Sequence, residues 1–311
     1  MDNIWNPWHG CTKYSEGCEN CYMYFLDKVH NPELDSSIVT KTNNFDYPLK
    51  KNRQKEYKVK SGQLLMVNMT SDTFIPDADE FRDEMWDIIR KRSDVIFYIL
   101  TKRAYRIKEC LPSDWGDGYE NVILNVTCEN QKRADERIPI LLDIPAKHKG
   151  LCIAPILSSI NIEEYLRDMQ IETVSCGGEN YDGARVCNYD WIKSLSNQCE
   201  KYRVNFSFFE TGTHFIKDSK LYYIPNKKVQ AEQAYKSGLS RHFFDIDYKL
   251  TKEDGNMVTE EDFDKFMYNK YTCTMCSYRQ TCSGCSNCGK CKNVELISRK
   301  ELLKIDETFK K

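Results

Sequence analysis

Six short, largely apolar runs separated by amphipathic stretches restrict this chain to one architecture class. The runs cover residues 64–69, 95–100, 121–126, 151–154, 172–176 and 204–209. Helical periodicity fills the gaps, over residues 78–91, 105–110, 131–143, 162–169 and 190–202. A strand recurs roughly every 25 to 35 residues, which suits right-handed crossovers between parallel strands. The expected fold is therefore α/β, a parallel sheet covered by helices. From Thr213 to Asp264 the pattern gives way to polar, lysine-rich sequence without a clear period.

The C-terminal ends of these strands carry the polar residues. They are Thr70-Ser71-Asp72, Thr101-Lys102-Arg103, Thr127-Cys128-Glu129-Asn130, Gly177-Gly178-Glu179-Asn180 and Glu210-Thr211. In barrels and open α/β sheets this edge holds the active site. Ordinary helix capping is the competing explanation for Thr127 and Asn130.

Composition narrows the class of function. The 311 residues carry a formal net charge of −2, so no global positive field recruits nucleic acid or an anionic membrane. No stretch approaches the ~20 apolar residues of a membrane helix, and the polar start Met1-Asp2-Asn3 is unlike a signal peptide. A cytoplasmic protein with no membrane partner is expected. Fifteen cysteines are many for a reducing compartment, and their clustering points to metal rather than disulfides. Cys110, Cys128, Cys152, Cys176, Cys187 and Cys199 are scattered, mostly in apolar runs, and read as small buried hydrophobes.

The N-terminal trio has the spacing C-x6-C-x2-C at Cys11, Cys18 and Cys21. Three thiolates on one loop can hold three irons of a [4Fe–4S] cluster and leave the fourth open. Gly10 and Gly17 would let the loop wrap closely, and Tyr22 is a candidate lid. A zinc site is the rival, with His9 or a distant cysteine as fourth ligand.

Trp5-Asn6-Pro7-Trp8-His9-Gly10-Cys11, followed by Cys18, Cys21 and Tyr22, resembles the W-N-P-x-x-G-C-x6-C-x2-C-Y signature of a radical S-adenosylmethionine family of phage-type proteins. Ser71-Asp72-x-Phe74, Leu100-Thr101-Lys102-Arg103, Glu129-Asn130-Gln131, Gly177-Gly178-Glu179 and Gly183-Ala184-Arg185 match as well. The resemblance covers roughly residues 1–215. It implies a partial (β/α)6 barrel there, with residues 216–311 as a C-terminal extension. The spacing departs from the commoner C-x3-C-x2-C. Within the family, length and Lys/Asn/Tyr-rich composition are similar to enzymes that split the modified base queuine and free 7-aminomethyl-7-deazaguanine.

The resemblance implies S-adenosylmethionine as cofactor, a small modified base as substrate, and an electron donor such as flavodoxin or ferredoxin. It implies that Ser71 and Asp72 receive the amino group of S-adenosylmethionine and that Lys102 or Arg103 takes its carboxylate. Thr127 and Glu129 would face the ribose, while Glu179, Asn180 and Glu210 would accept from the N–H edge of a deazapurine. Each of these could instead sit in a structural ion pair. The remaining cysteines, Cys273, Cys276, Cys282, Cys285, Cys288 and Cys291, are dense enough to bind metal, as a second iron–sulfur cluster or a zinc site. Two alternatives stand beside the radical lyase. One is a radical enzyme acting on a base within DNA or RNA, and the other is a non-enzymatic zinc-bound nucleic-acid module.

Overall fold

The computed structural model describes residues 3–259 and 262, and the two strands Phe266–Tyr268 and Glu295–Ile297. The cysteines from Cys273 to Cys291 lie outside the described residues. In chain order the strands are β1 (Ile4–Trp5), β2 (Trp8–His9), β3 (Thr40–Lys41), β4 (Leu64–Val67), β5 (Ile96–Thr101), β6 (Val122–Thr127) and β7 (His148–Ile153). There follow β8 (Ile171–Gly177), β9 (Val186–Asn188), β10 (Asn205–Glu210), β11 (His214–Lys217), β12 (Lys220–Tyr223), β13 (Phe266–Tyr268) and β14 (Glu295–Ile297). The helices are α1 (Tyr22–His30), α2 (Asp79–Lys91), α3 (Ile107–Cys110), α4 (Gln131–Asp143), α5 (Glu163–Leu166), α6 (Tyr189–Lys201) and α7 (Lys227–Lys236).

Seven strands form one parallel sheet in the order β1-β4-β5-β6-β7-β8-β10. The sheet curls into a half-barrel, so the α/β architecture expected from the periodicity is present. All six apolar runs are strands in it. The seventh strand is Ile4–Trp5, which pairs with Met66 and Val67 of β4. Two residues are too few to show a period, and their partner lies some sixty positions away. Trp5 holds this edge by burying its ring and donating its indole N–H to the Phe45 carbonyl, 2.9 Å away.

The two faces of the sheet differ in chemistry. Leu65, Val67, Phe97, Ile99, Val122, Leu124, Val126, Leu151, Ile153, Val174, Cys176, Phe206 and Phe208 alternate onto one face and join a single hydrophobic core. Helices cover that face with Met85, Trp86, Ile88 and Ile89 of α2, Ile138 and Leu141 of α4, and Ile192 and Leu195 of α6. At about 1.5–3 kcal/mol per large apolar side chain buried, this side decides the fold. The opposite, concave face carries Tyr98, Asn125, Thr127, Cys152, Thr173, Ser175 and Ser207, aligned strand to strand by the register.

Residues 214–241 pack onto the last strands, whereas Thr251 N–H reaches the Ser93 carbonyl at 3.2 Å. β11 pairs antiparallel with β12 and parallel with β9. α7 lies on β10, and Arg241 exchanges backbone hydrogen bonds with Phe206 at 2.9 and 2.8 Å. α7 buries only Gln230, Ala231 and Ala234, so no apolar stripe marks it in the sequence.

Candidate functional site

The loop bearing Cys11, Cys18 and Cys21 crosses the C-terminal ends of the parallel strands. Its entry is fixed at Gly10, whose backbone sits at φ +97°, where a Cβ would meet the Ile38 carbonyl oxygen at 2.1 Å. Only glycine fits that approach. The Ser71 hydroxyl donates to the Gly10 carbonyl at 2.5 Å, and the Trp8 indole donates to the Asp72 carbonyl at 3.3 Å. At Gly17 a Cβ would lie 3.1 Å from the Glu129 carboxyl carbon and 3.3 Å from Cε of Lys102. This glycine makes room for the protein's own side chains.

Most of the strand-end residues singled out in the sequence hold this loop. Asp72 is buried and accepts from Phe74 N–H (2.9 Å), the Thr101 hydroxyl (2.7 Å) and Lys102 N–H (3.0 Å), with the Arg103 guanidinium 3.2 Å away. Arg103 donates to the Thr12 carbonyl at 2.8 Å and lies 4.0 Å from the Cys11 sulfur. Glu129 is fully buried and accepts from the Ser15 hydroxyl, Gly17 N–H at 3.2 Å and Arg137 at 2.9 Å. Burial opposes its ionisation, but the Arg137 and Lys102 cations prevail and hold the carboxyl below the usual range. Glu179 takes Arg185 through both carboxylate oxygens, at 2.6 and 2.9 Å, and accepts from the Asn20 amide at 3.1 Å. Burial again opposes ionisation, and the Arg185 and Asn20 hydrogen bonds again win. Arg185 in turn reaches the Glu16 carbonyl (2.8 Å) and the Glu19 carboxylate (3.0 Å).

Ser15, Asn20, Arg137 and Arg185 thus belong to the site, although the sequence reading assigned them no role. Arg185 sat within the quoted Gly183-Ala184-Arg185 match. Arg137 carries no signal, since an arginine in an amphipathic helix normally faces solvent.

The three thiols are partly exposed and unpaired. Burial, reinforced by the Asp72 charge, pushes the Cys11 thiol up to about 12 in the absence of any metal. Burial also raises Cys21. Beneath the loop lies the Lys102 side chain. Burial disfavours its charge, but Cys18, Glu129, Cys21 and Cys152 outweigh that and keep it an ammonium. That ammonium makes no hydrogen bond or ion pair among the described residues, whereas Arg103 beside it is fully engaged. His9 is turned away to Asp27, 2.9 Å from its carboxylate. Among the described residues no three His, Cys, Asp or Glu side chains converge as a single metal ion would require. A cubane cluster makes a different demand, one thiolate on each of three separate irons.

Other predicted residues line the mouth of the half-barrel. The Asn180 amide donates to Glu210 at 2.7 Å, while the Asn180 amide oxygen is buried without a partner. The second Glu210 oxygen pairs with Lys227 of α7. The Thr127 hydroxyl is buried and unpartnered, so it caps no helix; Asn130 does, accepting from Arg133 N–H at 3.0 Å. Tyr22 opens α1 and donates its hydroxyl to the Met69 carbonyl.

Among the described residues, no helix is long and apolar enough to cross a membrane. No curated protein and no solved structure matches the chain. Residues 1–272 match the family described as "Protein of unknown function (DUF5131)", and the chain belongs to that family.

Proposed function

We propose that this chain is a radical S-adenosylmethionine enzyme that acts on a small modified deazapurine, splitting queuine to release 7-aminomethyl-7-deazaguanine. One observation carries the reading. Three free thiols share a loop that four strand ends clamp across the mouth of a half-barrel, above an unpaired lysine ammonium. Cys11, Cys18 and Cys21 would hold a [4Fe–4S] cluster, whose chemistry would be reductive cleavage of S-adenosylmethionine to a 5′-deoxyadenosyl radical.

The residues divide into two groups. Asp72, Arg103, Glu129 and Glu179 hold the loop, and Ser71 ties its start through Gly10. Lys102 is left as the cation for the carboxylate of S-adenosylmethionine, since Arg103 is occupied. Asn180 and Glu210 offer acceptors to the N–H edge of a deazaguanine, and the unpartnered Asn180 oxygen supports that role. Thr127 and Tyr22 border the same space. The reduction calls for a flavodoxin- or ferredoxin-like donor in the cytoplasm, and the six later cysteines supply a second cluster or zinc site.

One feature favours the reading in which the base sits within RNA or DNA. Beside Glu210, the β11–β12 hairpin and the start of α7 carry Lys217, Lys220, Lys227 and Lys228 with exposed Tyr222 and Tyr223. Basic and aromatic groups together suit a nucleic-acid strand. The test is anaerobic reconstitution followed by reductant, S-adenosylmethionine and either free queuine, its nucleoside or intact tRNA, with products read by mass. Free queuine should be cleaved, and Cys18→Ala should form no 5′-deoxyadenosine. Turnover of tRNA alone would replace the small-base reading, and 5′-deoxyadenosine from a triple Cys11, Cys18 and Cys21 alanine variant would end the radical one.

A further inference from the structure

The concave face carries one buried thiol outside the N-terminal loop, Cys152. Cys110, Cys128, Cys176, Cys187 and Cys199 join the hydrophobic core, as expected of small buried hydrophobes, but Cys152 does not. Its neighbours Leu151 and Ile153 point into that core. Strand alternation therefore turns Cys152 to the polar side. There it aligns with Thr127 on β6 and Ser175 on β8. The Tyr98 and Ser175 hydroxyls lie 3.4 Å apart, and Ser175 is the register partner of Cys152 on the neighbouring strand.

Two further observations support a ligand on this row. Thr127 is 1% exposed, and its hydroxyl has no partner. An unmatched buried hydroxyl is unfavourable, and a polar ligand would relieve it. Cys152 also lies within electrostatic reach of both Lys102 and Glu210, between the thiol loop and the base-binding pair. Burial raises the pKa of its thiol, so the sulfur keeps its hydrogen at neutral pH.

Resting on the radical reading above, we propose that Cys152 is the hydrogen-atom donor that quenches the carbon radical left on the substrate fragment after bond scission, with Tyr98 as its relay. The S–H bond breaks homolytically, a C–H bond forms on the fragment, and a thiyl radical remains on Cys152. The Tyr98 O–H then gives its hydrogen atom to the sulfur and leaves a tyrosyl radical. A one-electron donor of the flavodoxin or ferredoxin class supplies one electron, solvent supplies one proton, and Tyr98 is restored. The first transfer is downhill because an S–H bond is weaker than an alkyl C–H bond. The second is nearly balanced, because phenol O–H and thiol S–H bonds are similar in strength. An aliphatic alcohol has a stronger O–H bond, so serine cannot replace this cysteine.

The experiment uses the reconstituted full chain in deuterated buffer, with wild type, Cys152→Ala, Cys152→Ser and Tyr98→Phe compared. Wild type should place one solvent deuterium on the quenched fragment. Both Cys152 variants should lose it, and their ratio of base product to 5′-deoxyadenosine should fall by about tenfold or more. In the protein without cluster or substrate, the infrared S–H stretching band that disappears in Cys152→Ala should shift in Tyr98→Phe. Thermal melts show whether each variant folds, and the serine variant keeps the volume if alanine disturbs packing. Full coupling and deuterium incorporation in a folded Cys152→Ser protein would overturn the proposal, as would an S–H band indifferent to Tyr98. If wild type forms no 5′-deoxyadenosine, the radical reading itself fails and takes the donor role with it. If wild type forms it but delivers an undeuterated fragment, only the donor role fails.

Discussion

Replacing Glu129 with glutamine tests whether the strand ends clamp the thiol loop. Glu129 is 0% exposed and Arg137 is 1% exposed, so solvent does not screen their ion pair. The only hydrogen bonds described for the Arg137 side chain run from one guanidinium nitrogen, to Glu129 at 2.9 Å and to the Thr127 carbonyl at 2.5 Å. Its other two nitrogens are buried without partners. Glutamine would leave a buried cation facing a neutral amide, and that amide must turn its NH2 toward either Arg137 or the Ser15–Gly17 pair. Breaking a buried ion pair by neutralising one partner costs about 3–5 kcal/mol. The lower end applies here, because the Thr127 carbonyl stays with Arg137. Urea unfolding of the metal-free protein measures the loss. Hydrogen exchange at residues 12–20 should quicken with it, because Gly17 N–H and the Ser15 hydroxyl exchange a carboxylate acceptor for a weaker amide oxygen or lose it altogether. A double variant with Arg137→Met removes the stranded cation and should recover a substantial part of the loss. A change within about 0.5 kcal/mol, the range of ordinary surface substitutions, with unchanged exchange in the loop would refute the clamp.

Lys102→Gln should weaken S-adenosylmethionine binding about tenfold or more, as expected for a hydrogen bond to a charged group, while leaving queuine binding unchanged; calorimetry on the reconstituted protein distinguishes the two. Lys227→Ala should change stability by less than about 1 kcal/mol, because this ion pair is half exposed. It should also tighten binding of 7-aminomethyl-7-deazaguanine by freeing a Glu210 oxygen, and weaker binding would argue against Glu210 as an acceptor. Glu129 and Glu179 both have depressed carboxyl pKa values in the fold. Their contribution is therefore complete above the unfolded carboxyl value of about 4.3 and fades as pH falls through the folded values. Exchange protection of residues 12–20 should be lost on acidification below about pH 4, and uniform protection down to pH 2 would contradict this.

Local pattern determined the layered fold and the location of the site. Alternation within each strand and the 3.6-residue period between strands are properties of neighbouring residues, so all six long strands and helices α2, α4 and α6 could be placed from sequence. The thiol trio and the polar strand ends were legible for the same reason. Which polar groups are free was decided only by the tertiary structure. Asp72, Arg103, Glu129 and Glu179 look like ligand-binding residues in sequence, yet Arg103, Glu129 and Glu179 take up Thr12, Ser15 and Asn20, 91 to 159 positions away, and Asp72 takes Arg103. Lys102 remains unpaired because strand register turns it beneath the loop while Arg103, one residue on, points to Cys11 and Asp72. Strand alternation likewise sets Cys152 on the polar face and Cys176 on the core face, because the face a strand residue occupies depends on which side the helices cover. Hydrogen-bond partners across the barrel are fixed by the curl of the sheet, a long-range consequence of packing that no local segment encodes.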